Sequence, residues 1–158
     1  MRDPIRTYVS LKSNAFNTTE PREYYINPSC FGDDLAKWLL VKLSERSIRT
    51  VGEPGQEDFG WYVSFQLDDQ WYDFVIGYRP GDDSSEGCWI GWLERKAGLL
   101  GSLLGARRRG IEPEACEVIH AVLSAASEIA DIRWHFERDF RTGRDDLGAG
   151  SPRAVDDR

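Results

Sequence analysis

Three aromatic runs between residues 59 and 93 constrain the fold more than any other feature of this chain. In the first, Phe59, Trp61, Val63, Phe65 and Leu67 alternate with Gly60, Tyr62, Ser64 and Gln66, the period of a strand with one buried face. In the second, Tyr72, Phe74, Ile76 and Tyr78 make the apolar set. If Asp68-Asp69 is a two-residue turn, Phe65 faces Tyr72, Val63 faces Phe74 and Trp61 faces Ile76; a four-residue loop over 68–71 preserves the same faces. A three-residue loop sets Asp73 opposite Phe65, and a one-residue slip turns a strand inside out. The chain therefore uses two or four.

The third run, Cys88-Trp-Ile-Gly-Trp-Leu93, follows a loop of turn formers, Pro80 to Gly87. Cys88, Ile90 and Trp92 read as its inner face, a parity that also separates Glu94 from Asp73. Tyr62, Trp71, Trp89 and Leu93 then project from the opposite face with Ser64, Asp73 and Val75. The three runs form a three-stranded antiparallel meander.

The flanking segments supply the helices. Residues 5–11 alternate as a strand. Asn27-Pro28-Ser29 announces a helix over 29–45, with Ser29 as N-cap and Asp33-Asp34 near the positive end of its dipole. Its buried stripe is Phe31, Leu35, Trp38, Leu39 and Leu43. Ile48 to Val51 reads as a short strand, and 97–110 as a short helix on the sheet or, with Arg107-Arg108-Arg109, as a basic contact for an anionic surface. Pro113 opens a second long helix striped by Cys116, Ile119, Val122, Leu123, Ala126 and Ile129. Residues 131–137 form a last strand. The expected fold is α+β: a two-layer sandwich with an antiparallel sheet, the meander at its centre, and both long helices on one face. Residues 1–140 make a single domain, and 141–158, poor in apolar residues, a disordered tail.

A chain of 158 residues can bury a core without disulfides or metals. Its three cysteines are far apart and lack a C-x-x-C, as in reduced thiols, and no apolar run reaches the roughly 20 residues that span a bilayer. With no N-terminal charged-then-apolar segment, the expected location is cytoplasmic. The net charge of -7 argues against nucleic acid, whose phosphates need clustered Lys and Arg, and favours a basic protein partner.

Few motifs carry chemistry. Nucleophile elbows and phosphate loops are absent, and His120 and His135 lack zinc-site spacing, although Cys116 and His120 share a helix face. No metal or cofactor is expected. The order helix, three strands, helix, strand, with Asp73 on the second meander strand and Glu94-Arg-Lys96 ending the third, resembles the core of the PD-(D/E)xK nuclease-like superfamily. That resemblance implies Asp73 and Glu94 as metal ligands and Lys96 as charge stabiliser. A second pattern, Asn27-Pro28, Phe31-Gly32, Leu35-Ala36, Trp38-Leu39, Glu53-Pro54 and Glu57-Asp58-Phe59-Gly60-Trp61, resembles uncharacterised small acidic bacterial proteins, which implies a bacterial, cytoplasmic α+β domain.

The principal reading is a non-enzymatic acidic protein-binding domain, of the immunity or antitoxin kind, that blocks a basic bacterial protein; an accessory subunit of a defence complex and a metal-dependent nuclease are the alternatives. The expected partner-binding surface is Tyr62, Trp71, Trp89 and Leu93, bordered by Asp58, Asp68, Asp69, Asp73, Asp82 and Asp83. Aromatics supply most affinity in such surfaces, and rim charges steer association.

Overall fold

In the computed structural model, which describes residues 5–96 and 110–154, the turn at Asp68-Asp69 sets the register of the central strands. Strand β4 (Gly60–Leu67) pairs antiparallel with β5 (Gln70–Arg79) as Trp61 with Ile76, Val63 with Phe74 and Phe65 with Tyr72. Leu67 pairs with Gln70, so the turn has two residues, and Asp68 takes the positive φ of 50° that a tight turn demands. Strand β6 (Cys88–Arg95) pairs antiparallel with β5.

Seven strands, with β1 (Tyr8–Lys12), β2 (Arg49–Thr50), β3 (Gly55–Glu57) and β7 (Ala130–His135), form one sheet in the order β2-β4-β5-β6-β1-β7, β3 pairing with β4 beside this path. Every pairing is antiparallel. Among the described residues three α-helices accompany it: α1 (Asp33–Glu45), α2 (Pro113–Ser124) and the short α3 (Glu137–Arg141). The fold is thus α+β.

One apolar cluster joins alternate sheet residues to both long helices: Val63, Phe65, Tyr72, Phe74 and Ile76 with Leu35, Leu39 and Leu43 of α1 and Cys116, Ile119 and Leu123 of α2. Each fully buried Leu, Ile or Phe contributes about 1.5–3 kcal/mol relative to exposure, so this cluster dominates the favourable side of folding. Cys116 lies inside it, and burial pushes its thiol up to about 12. His120, across from Trp134, accepts the indole N–H at 3.1 Å and thereby serves the core.

Four expectations are corrected. The third strand has the opposite parity: Leu93 pairs with Phe74 and Trp89 with Tyr78, placing both on the core face, where they are 2% and 1% exposed. Ile90 and Trp92 occupy the other face. The cause is local, since Gly91 pairs with Ile76 and leaves room for the Phe74 ring, which a residue with a side chain would deny. Helix α1 begins at Asp33, four residues late, because Gly32 at its N-cap has φ 139°, which side-chain-bearing residues rarely adopt; Ser29 instead closes a turn on Asn27.

Beyond these two, Gly55–Glu57, where the sequence reading has no strand, add β3. The expected disordered tail is structured as far as Ala154: α3, a 3-10 turn at Asp145–Leu147, and backbone bonds between Trp134 and Ala149 in both directions. Phe140 anchors it on Tyr8 at 4.9 Å between ring centroids, and Arg153 pairs with Glu114 and Glu117 of α2. A few contacts hold a polar segment that composition alone assigns to solvent. The readings of 97–110 fall largely outside the described residues. No helix among those described is long and apolar enough to cross a membrane.

Candidate functional site

Strand alternation places on the sheet's second face every residue the core does not use, and antiparallel pairing arranges them in transverse rows. The middle row runs Tyr62, Val75, Trp92, Tyr8 and His135 across β4, β5, β6, β1 and β7. Tyr8 stacks on Trp92 at 5.7 Å, and Phe140 covers Tyr8 and His135. This row divides the face into two regions of different chemistry.

The first region, toward the Asp68-Asp69 turn, is acidic. Its row is Ser64, Asp73 and Glu94, direct partners across β4, β5 and β6. Asp73 accepts the Ser64 hydroxyl at 2.5 Å and pairs with Lys96 Nζ at 3.5 Å, while Glu94 accepts the Trp92 indole N–H at 3.1 Å. Asp73 and Glu94 therefore share one face, contrary to the parity read from the sequence, and Lys96 joins them. Beyond this row lies Trp71, half-buried, with Arg49 over its ring at 5.8 Å.

Of the expected surface, Tyr62 and Trp71 are half-buried on the second face, whereas Trp89 and Leu93 belong to the core. Sequence reasoning missed their replacements. Phe59 is 51% exposed and lies 6.4 Å from the ring of Trp92. Phe59 heads the first alternating run, so its apolar character suggests burial; only the turn before Gly60 releases it. Asp58, Asp68, Asp69 and Asp83 are exposed and form no ion pair among the described residues. Asp82 is committed internally: hydrogen bonds from the Ser84 and Ser85 hydroxyls and amides hold the 80–87 loop and keep its carboxyl below the usual range.

The second region, toward the 80–87 loop, is a polar groove of about 580 Å³ whose lining includes Ser10, Lys12, Arg79, Cys88, Arg133 and His135. Lys12 is engaged by Glu86 at 3.1 Å and Arg79 by Asp145 at 2.9 Å. His135, 2% exposed, shares a 2.9 Å hydrogen bond between Nε2 and Ser10 Oγ. No spacing in the sequence signals this pair, because 125 positions separate its members. Among the described residues no group of three or more His, Cys, Asp or Glu is placed to hold a metal ion.

No protein family, no curated protein and no solved structure matches this chain.

Proposed function

We propose that this chain is an acidic protein-binding domain, of the immunity or antitoxin kind, that engages a basic bacterial protein through the acidic region of its second face. The reading takes both long helices as one layer on the core face and β4-β5-β6 as the central meander, so that the other face is available. The observation that carries it is half-buried Trp71 beside the row of Ser64, Asp73 and Glu94, with exposed Asp68 and Asp69, which form no ion pair among the described residues, at the adjoining turn; exposed Phe59, over Trp92, and Asp58 extend the surface at the opposite end of β4. Aromatics of this kind supply affinity, and carboxylates at the rim accelerate approach of a basic surface. The three free cysteines suit a reducing cytoplasm.

The test is capture of the partner from the native host, followed by calorimetry with the purified pair. Phe59→Ala or Trp71→Ala is expected to weaken binding by about 2 kcal/mol, and association to slow as salt rises. A partner whose affinity ignores both substitutions and salt refutes the reading.

One observation favours a second reading, a PD-(D/E)xK-like metal-dependent nuclease: Asp73 and Glu94 are adjacent on one face, with Lys96 Nζ 3.5 Å from Asp73. Two carboxylates and an ammonium are the residue types that bind a divalent ion and assist its water. Cleavage of DNA or RNA with magnesium or manganese, lost in Asp73→Ala and Glu94→Ala, establishes it; absence of cleavage leaves the binding domain.

A further inference from the structure

The buried imidazole of His135 has one ring nitrogen engaged and the other without a partner. On one side Ser10 Oγ lies 2.9 Å from Nε2. On the other, Nδ1 is buried without a hydrogen-bond partner, packed beneath Gly148, where an added Cβ would lie 2.8 Å from it. Asp145 Oδ1 is likewise buried and unpaired, and Asp145 acts electrostatically on the ring. Asp145 makes no hydrogen bond to Nδ1 and acts on the ring through its charge alone; with the proton on Nδ1, the Nε2 lone pair is left to accept the Ser10 O–H.

The strands deliver these groups where the β1–β7 pairing is still regular, just before its register shifts between Ser10 and Lys12. Ser10 and His135 both project from the second face, Ser10 pairing with Arg133 and Tyr8 with His135. The C-terminal segment closes over the Nδ1 side, while Ser10 lines the groove of about 580 Å³. Arg133 is therefore the cross-strand neighbour of Ser10. Exposed, it makes no hydrogen bond or ion pair among the described residues, unlike Lys12 and Arg79.

We propose that Ser10, His135 and Asp145 form an activated-serine site that hydrolyses small carboxylic esters or thioesters admitted by this groove. Ser10 Oγ attacks the acyl carbon and passes its proton to His135 Nε2. The bond to the leaving alcohol or thiol breaks as His135 returns that proton to it. Water, deprotonated by the same nitrogen, then releases the acid and restores the serine. Arg133 stands beside the carbonyl oxygen on which negative charge develops, and Asp145 is a positioning residue. Burial, followed by the positive charges of Arg79, Arg133 and Arg6, holds His135 below the ordinary imidazole range, while Asp145 opposes them. The imidazole is consequently neutral, and able to act as a base, at neutral pH.

The test treats the full chain with a fluorophosphonate probe, whose phosphorus Ser10 Oγ attacks with loss of fluoride and transfer of the proton to His135. One adduct is expected, on the tryptic peptide spanning residues 7–12, and Ser10→Ala abolishes it. His135→Gln slows labelling by about 100-fold or more. In the wild-type protein the labelling rate rises with pH through a midpoint below 6.5, which tests the base without a substitution. Asp145→Asn moves that midpoint to lower pH, since Asp145 raises the imidazole's affinity for protons; a merely structural carboxylate leaves it in place. p-Nitrophenyl acetate hydrolysis is expected to follow the same pattern. Absence of a Ser10 adduct, or labelling with no histidine-like midpoint and no dependence on His135 in folded variants, overturns the proposal.

Discussion

Gly91→Ala is the substitution that most directly interrogates the corrected parity of β6. Gly91 pairs with Ile76 on one side and Val9 on the other, in the middle of the core face. A Cβ at this position meets Phe74 Cε2 at 2.6 Å and Phe74 Cζ closer still, with Val75 O at 3.2 Å. Phe74 is 1% exposed and cannot swing into solvent, and the carbonyl belongs to a paired strand. Overpacking of this kind costs about 1–3 kcal/mol, most of it spent displacing the ring. For a chain of this size, that corresponds to a fall in Tm of about 3–10 °C. Phe74→Leu removes the atoms that clash and alone costs about 1–2 kcal/mol through lost packing. In a urea-denaturation cycle the double variant is therefore expected to be more stable than the sum of the single effects by about 1 kcal/mol. Gly91→Ala within about 0.5 kcal/mol of wild type, or strict additivity, refutes the placement of Gly91 beneath Phe74.

Three further outcomes follow from burial and charge. Trp89→Ala is expected to cost about 3–5 kcal/mol in chemical denaturation, because its side chain is 1% exposed, whereas Trp71→Ala leaves stability nearly unchanged; equal effects contradict the face assignment. His135 has a folded-state pKa below 6.5, so as pH falls through 6.5 the unfolded chain takes the proton first. The stability that neutral His135 secures is complete above 6.5 and declines toward the lower folded value, a slope that His135→Gln flattens in urea titrations at several pH values. Phe140→Ala, which uncovers Tyr8 and His135, is expected to cost about 1–2 kcal/mol and to speed proteolysis after residue 136; no change in either measurement contradicts anchoring of the C-terminal segment.

The difference between legible and illegible strands lies in what ties one strand to the next. Parity carries across Asp68-Asp69 because the turn is short and any odd loop buries Asp73. Across residues 80–87 that constraint disappears, and Cys88, Ile90 and Trp92 compete with Trp89 and Leu93 as equally apolar sets. The choice is made by a packing detail, the Phe74 ring over Gly91, that no single strand displays. The helix stripes were readable from periodicity in their middles, where Leu35, Leu39, Leu43, Cys116, Ile119, Val122 and Leu123 are buried, but not at their ends: Trp38 is half-buried, and Phe31, Ala126 and Ile129 lie outside the helices. The acidic residues of the candidate surface were readable as charges but not as partners: Asp73 beside Glu94 depends on register, and the internal use of Asp82 on loop geometry. Ser10 and His135 meet only because β1, near the start of the chain, lies between β6 and β7.

That same topology keeps the two regions of the second face experimentally separable. The aromatic row Tyr62, Val75, Trp92, Tyr8 and His135 stands between the acidic residues of β4, β5 and β6 and the groove lined by β1 and β7. Val75 and Tyr8 within it are 2% and 7% exposed, so the divide is packed structure. Effects at sites without shared partners add independently. Phe59→Ala and Trp71→Ala are therefore expected to change partner affinity without changing Ser10 labelling, and Ser10→Ala the reverse. A partner that protects Ser10 from the probe would show that the bound protein reaches across the row, making the groove part of the interface.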